Sequence, residues 1–267
     1  MNVFEKILAR RLAGERLTLE DGVQLYGCDL IRLGQAAQKF IPRLLPNTVS
    51  FVVDRNISYT NVCTIGCDFC VFHCAPGAPE AFVLTHEQIL GKVRELAALG
   101  GTQVLIQGGV HPDLPLDYYL EMVRAIHKEF PQIHIHSFSA IEIDTLARQN
   151  KIPLPELFRR FKEAGLNSLP GGGAEILVER VRQKISPRKI SSDRWLEVMQ
   201  TAHEAGFKTT ATMVFGHVET KEERILHLLR LRELQDRTHG FRSFIPWSFV
   251  PPPSKPGFDG GSAGRRG

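Results

Sequence analysis

No stretch of the sequence approaches the roughly 18 unbroken apolar residues that a membrane-spanning helix needs. The first twenty residues carry Glu5, Lys6, Arg10, Arg11, Glu15 and Arg16, so no apolar core of a secretory signal is found there. Charge of one sign is scarce as well: 33 basic against 29 acidic residues leave a formal net charge of +4. With no long basic run, nothing demands a nucleic-acid partner. Internal repeats are absent. The expectation is a cytoplasmic chain that meets neither membrane nor nucleic acid. What is present is ordinary for a globular protein, 43% hydrophobic and 23% charged residues, which excludes disordered, collagen-like and fibrous classes.

Cysteine is sparse too, but its placement is informative. Of Cys28, Cys63, Cys67, Cys70 and Cys74, four fall within twelve residues. An odd count clustered in a chain expected to be intracellular argues against a disulfide framework. It favours metal binding or redox chemistry.

The chain is organised as alternating short apolar runs and longer amphipathic stretches. Residues 1–48 read as a helical segment. Strands are expected at 51–53 with 56–59, then at 103–106, 133–136, 167–169, 209–214 and 244–247, and 167–169 is the weakest of them. Thr85 with Gln88, and Thr220 with Glu223, have capping-box spacing, and Ser192 is expected to cap a third helix. In the helix after Thr220, Ile225, Leu228, Leu229, Leu231 and Leu234 form the expected buried face. Strands alternating with helices of ten or more residues imply βαβ units, a parallel sheet and right-handed crossovers. The fold class is therefore α/β, a barrel or part-barrel over 49–249 with its chemistry at the C-terminal ends of the strands. Residues 250–267 are rich in Pro, Gly and Ser, a composition that builds no core.

The segment Cys63-Thr64-Ile65-Gly66-Cys67-Asp68-Phe69-Cys70 follows the first strand. Three thiolates on one loop can take three corners of a [4Fe-4S] cube. Ferredoxin clusters use four cysteines, so three leave one iron open to a substrate or cofactor. Structural zinc is the bland alternative, although zinc prefers a second Cys or His pair at a distance. Cys74 or Cys28 could serve as a fourth ligand.

This C-x3-C-x2-C loop, with Phe69 before its last cysteine, resembles that of the radical S-adenosylmethionine (SAM) superfamily, and the resemblance extends over about residues 50–249. The stretches Gln107 to Pro115, Leu169 to Ile176 and Phe215 to Thr220 look like those of the futalosine-pathway enzymes of menaquinone biosynthesis. Gly101-Thr102-Gln103, Ile185-Ser186-Pro187, Thr209 to Met213 and Ile245-Pro246-Trp247 lean to the oxidative cyclase of dehypoxanthine futalosine. Asp117-Tyr118-Tyr119 and Ser139 to Ile143 look as much like the sister aminofutalosine synthase.

The resemblance implies a partial (βα)6 TIM-like barrel holding a [4Fe-4S] cluster on Cys63, Cys67 and Cys70, with SAM on the open iron. Reductive cleavage of SAM would give a 5′-deoxyadenosyl radical that takes hydrogen from the substrate ribose. The substrate would be a small nucleoside-derived molecule, and the partner an electron donor such as flavodoxin or ferredoxin. On the SAM side the resemblance places Phe69 beside the adenine and Gly108 and Gly109 beside the amino group, with Gln107 and Ser137 near them. Many members carry an acidic residue where this chain has Val110. Glu175 would meet the ribose or amino group of SAM, and Arg194 would either bind its carboxylate or be a solvated helix residue.

For proton transfer, His217, Glu219 and His136 are the candidates. Strand alternation groups His134, His136 and Phe138 on one face. Trp247 would pack on a substrate ring or fill the barrel mouth. Relatives of this kind continue past the sixth strand, so the resemblance also implies a C-terminally truncated form, and with it a rival reading as a non-catalytic iron–sulfur protein.

Overall fold

A computed structural model describes residues 2–40 and 49–251. The Pro/Gly-rich segment expected from residue 250 onward lies outside the described residues from 252. Within them, six strands pair in parallel in the order β1 to β6. They are β1 (Asp54–Ile57), β2 (Gln103–Ile106), β3 (His134–Ser137), β4 (Ser168–Leu169), β5 (Lys208–Phe215) and β6 (Phe241–Ser248). No pairing closes β6 onto β1 among the described residues, so the sheet curls into an open barrel. The expected first strand is shifted: Phe51, Val52 and Val53 lie exposed ahead of β1.

Helices occupy the crossovers: α4 (His86–Ala98), α5 (Leu116–Glu129), α6 (Ala140–Asn150), α7 (Leu154–Ala164), α8 (Glu179–Ile185), α9 (Ser192–Glu204) and α10 (Lys221–Thr238). The capping boxes at Thr85–Gln88 and Thr220–Glu223 form as their spacing requires. Ser191, rather than Ser192, caps α9, its hydroxyl accepting from Arg194 N–H. The amino-terminal segment is three short helices, α1 (Val3–Leu12), α2 (Leu19–Leu25) and α3 (Leu30–Gln38), capped by Asn2, Thr18 and Asp29.

The core lies between the outer face of the sheet and the helices. Ile57, Val104, Ile106, Ile135 and Leu169 from the strands meet Val93, Val123, Ile126, Leu157, Phe158, Phe161 and Val198 from the helices. Each such burial contributes roughly 1.5–3 kcal/mol. The expected buried face of α10 is corrected: Glu223, His227, Leu231 and Leu234 are buried, whereas Ile225, Leu228 and Leu229 are half-buried. The helix packs on α2, α9 and β5. Its Ile225 packs on α2 so closely that a Cβ on Gly22 would come within 2.7 Å of it, while His227 points inward and accepts from Leu177 N–H at 3.0 Å.

The inner face of the sheet is polar. Asp54, Gln103 and His134 share one register level, and Asn56, Leu105, His136 and Ser168 share the next. Neighbours at one level point to the same side of a sheet. No helix among the described residues is long and apolar enough to cross a membrane.

Candidate functional site

Because all six strands are parallel, the segments after them gather at one mouth. The cysteine loop follows β1 and is pinned along its length. Cys63 N–H donates to Cys74 O at 3.0 Å, and Cys74 N–H donates to Asn61 O at 3.0 Å. Thr64 N–H reaches Val110 O at 3.0 Å, and Asp68 N–H reaches Ile185 O at 3.1 Å. Arg188 Nε donates to Ile65 O at 2.7 Å. Gly66 takes φ +56°, a left-handed conformation that favours glycine. Cys63 and Cys70 are half-buried, Cys67 and Cys74 buried.

The donor set is three thiols with no carboxylate or imidazole among them, a soft set suited to iron–sulfur binding. No group of three His, Cys, Asp or Glu stands at single-ion spacing among the described residues. Corners of a cube are held farther apart. Burial pushes the Cys67 thiol up to about 11, against the opposing charge of Lys189, so iron must displace a proton there.

Gly108 and Gly109 follow β2, and the space a side chain would need is filled by this chain itself. A Cβ on Gly109 would stand 2.1 Å from Val62 O and 2.9 Å from Cys63 Cβ, and one on Gly108 would stand 2.5 Å from the Tyr59 ring. The two glycines thus let the β2 loop dock on the cysteine loop. Glu142, buried at the start of α6, holds this junction from behind. Its Oε1 accepts from Tyr59 hydroxyl at 2.7 Å and Gly108 N–H at 3.2 Å, and its Oε2 accepts from Ser139 N–H and hydroxyl at 2.7 and 2.6 Å. Nothing in the sequence reading singled Glu142 out in this role, although Ser139-x-x-Glu142 is itself a capping box.

The glycine run after β4 also passes against protein. Gly171 N–H donates to Thr210 Oγ1 at 2.9 Å, and Thr212 hydroxyl donates to Gly171 O at 2.6 Å. A Cβ on Gly172 would lie 2.6 Å from Gln107 Nε2, which brings Gln107 to this loop. Glu175 follows in a left-handed conformation, φ +47°, and is 4% exposed. It forms an ion pair with Lys189, which the sequence reading missed. The Lys189 ammonium lies 5.2 Å over the centre of the Phe69 ring, so Glu175, Lys189, Phe69 and Cys67 come together.

Other expected residues are spoken for. Ser137 is fully buried and donates to Ile106 O at 2.9 Å. Arg194 pairs with Asp144 and Glu197, each at 2.7 Å, so its guanidinium is committed to α6 and its own helix. His217 uses both ring nitrogens on its own loop: Nε2 donates to Val214 O at 2.9 Å, Nδ1 lies 2.8 Å from Val218 N, and the same Nδ1 lies 3.0 Å from Glu219 Oε2. Glu219 accepts from Gly216 and His217 N–H groups and from Arg224 at 2.7 Å. Burial works to raise its pKa, but those donors and charges hold it below the usual carboxylate range. Both side chains thus hold the loop after β5 together.

His136 differs. Its Nδ1 and the Nε2 of His134 both lie 2.6 Å from Ser168 Oγ, on the inner face of the barrel. One hydroxyl proton serves both rings, so Ser168 donates to one and accepts from the other. Burial, with the charges of His134 and Arg242, brings His136 down to about 4, leaving it a neutral base. Phe138 does not share this face: it takes φ +64° and packs against Tyr59, Tyr119 and Phe161. Trp247 is 57% exposed at the end of β6.

Residues 57–231 match the family model described as the radical SAM superfamily. The chain is 45% identical over 250 residues to cyclic dehypoxanthine futalosine synthase of Halalkalibacterium halodurans, covering 93% of this chain and 68% of that one. It is 44% identical to a 5-amino-6-(D-ribitylamino)uracil–L-tyrosine 4-hydroxyphenyl transferase of Methanosarcina mazei, with 92% and 64% covered. It is 42% identical to aminodeoxyfutalosine synthase of Thermus thermophilus, with 92% and 66% covered. The chain thus spans about two thirds of the length of these curated relatives. The crystal structure of methylornithine synthase shares the fold, with TM-score 0.69 at 20% identity over 94% of this chain and 68% of that one.

Proposed function

The chain belongs to the radical SAM superfamily, and from that premise we propose that it is an oxidative cyclase, converting dehypoxanthine futalosine to its cyclic form in menaquinone biosynthesis. The observation that carries the reading is the three-cysteine loop locked against Gly109 at the C-terminal mouth of an open parallel barrel. Similarity to the cyclase of Halalkalibacterium halodurans supports the choice of substrate, together with Ile185-Ser186-Pro187, Thr209 to Met213 and Ile245-Pro246-Trp247.

Cys63, Cys67 and Cys70 would hold a [4Fe-4S] cluster, and Phe69, Glu175, Gln107 and the Gly108–Gly109 turn lie on the side where SAM would sit. When bound, the pair supplies one-electron chemistry that removes a hydrogen atom from the substrate ribose. The protein's part is position, shielding and proton handling. His136 is the base of this proposal. It is neutral, its Nδ1 is fixed on Ser168, and its Nε2 would take the proton that leaves the substrate ring on cyclisation, while the electron lost with it would pass to a one-electron acceptor such as the cluster or the electron-transfer partner. His217 and Glu219 shape the loop after β5 and stay out of the proton path.

The test is anaerobic reconstitution followed by product analysis with SAM and a substrate deuterated at the ribose C4′. The cyclase releases 5′-deoxyadenosine carrying that deuterium in its methyl group. A product with the adenosyl group covalently attached would instead assign the chain to the sister synthase, which Asp117-Tyr118-Tyr119 resembles.

A further inference from the structure

A buried lysine standing beside cysteine thiols calls for a reason, since burying an ammonium is costly unless a charge partner offsets it. Lys189 lies between α8 and α9 with a side chain only 9% exposed. It pairs with Glu175 and covers the ring of Phe69, the residue next to Cys70 in the chain. Its backbone surroundings are fixed by Arg182. That guanidinium is almost fully buried and spends itself on carbonyls: Gly173 O at 3.0 Å, Ala174 O at 2.7 Å and Ile190 O at 3.2 Å. These carbonyls belong to the residues that flank Glu175 and Lys189. The pair is therefore held in place from both sides.

We propose that Lys189 is the counter-ion of the cysteine loop, a positioning residue whose buried ammonium offsets the negative charge that three thiolates and an iron–sulfur cluster bring together. The inference rests on the cluster reading of Cys63, Cys67 and Cys70. A cube of four irons and four sulfides carrying two positive charges, bound by three thiolates, has a net charge of −1. Accepting one electron takes it to −2, with no bond made or broken. A fixed cation nearby stabilises the second state more than the first, and so raises the reduction potential. Arg188 also approaches this loop, but it is exposed, and solvent and salt screen its charge. Glu175 pairs with Lys189 and offsets its charge, and removing it would leave the cation uncompensated.

The two members of the pair therefore have opposite effects, which a merely structural role would not produce. The experiment is a redox titration of the anaerobically reconstituted full chain, without SAM or substrate, using dithionite as the electron source and electron paramagnetic resonance of the reduced cluster as readout. Lys189→Met should shift the midpoint potential to more negative values, Lys189→Arg should leave it close to that of the unaltered chain, and Glu175→Gln should shift it to more positive values. Shifts of Lys189→Met and Glu175→Gln in the same direction, or no shift in either, would overturn the proposal. If Lys189→Met holds no cluster while Lys189→Arg does, the difference is one of charge and supports it. Equal loss in both overturns it. Absence of iron from the unaltered chain would overturn the cluster reading and this inference together, whereas full iron with unmoved potentials overturns this inference alone.

Discussion

Tyr59 donates its hydroxyl to Glu142 at 2.7 Å, joining two residues 83 positions apart in the chain. The contact ties the segment after β1 to the start of α6, and the same carboxylate oxygen also receives Gly108 N–H. Three strand ends thus converge on one buried side chain, and the cysteine loop inherits its position from it. Burial raises the Glu142 pKa, while the donors from Ser139, Tyr59 and Gly108 work to lower it. All four donors would be orphaned if the carboxylate were removed.

Glu142→Ala should accordingly destabilise the fold by about 3 kcal/mol or more, since each buried donor left unpaired costs about 1–3 kcal/mol. Tyr59→Phe, which removes one donor and leaves the others satisfied, should cost about 1 kcal/mol. Urea unfolding followed by circular dichroism measures both. Equal losses in the two variants would show that Glu142 does not act as a shared anchor.

Gly109→Ala places a methyl group 2.1 Å from Val62 O and 2.9 Å from Cys63 Cβ. Neither neighbour is a flexible side-chain tip, so the two loops must separate. Overpacking of this kind costs about 1–3 kcal/mol, and the displaced Cys63 should lower iron content after reconstitution. Gly91, on α4, has open space around it, and Gly91→Ala is the matched control that should retain full iron.

Replacing Cys63, Cys67 or Cys70 singly with Ala should abolish the cluster absorbance, while Cys28→Ala and Cys74→Ala should keep it. Cys74 is buried behind the loop, where its backbone pairs with Cys63 and Asn61, so its substitution is expected to affect stability more than iron. Iron counting on the five variants decides the ligand set, and loss of the cluster in Cys74→Ala would make Cys74 a ligand.

Stability should fall as pH drops below about 6.5. Burial pushes His227 down to about 3, and His136 and His203 to about 4. All three are neutral in the fold but take up protons in the unfolded chain near the ordinary histidine value. Their contribution is complete above that value and is lost as pH falls toward the folded pKa values. Each contributes a slope of up to about 1.4 kcal/mol per pH unit in that window. Melting temperatures between pH 7 and pH 4.5 measure the total, and His227→Gln should flatten the dependence by about one proton's worth.

Much of the fold was legible because its signals are local. The Thr85 and Thr220 boxes need only residues three apart, and β2 begins and ends where its apolar run does, at 103–106. The same periodicity misjudged Phe51 to Val53, which are apolar but exposed, because a run of hydrophobic residues does not report whether anything packs against it. It misjudged Phe138 as well: alternation holds only while the backbone stays extended, and φ +64° turns that ring from the histidine face into the core. Cys63, Cys67 and Cys70 share one loop after β1, as their spacing in the chain requires.

What the sequence by itself determined is therefore what short chain distances dictate: the alternation of strands and helices, their caps, and a cysteine loop at the end of the first strand. Tertiary structure decided which side chains serve that loop. Lys189, which pairs with Glu175 over Phe69, lies 119 positions beyond Cys70, and Glu142, which holds the Tyr59–Gly108 junction behind the loop, lies 72 beyond it; each looks like an ordinary charged residue until folding buries it. Tertiary structure also gave Arg194, His217 and Glu219 their partners. The physical reason is that a charge inside a protein is defined by what surrounds it, and that environment is assembled from segments distant in sequence.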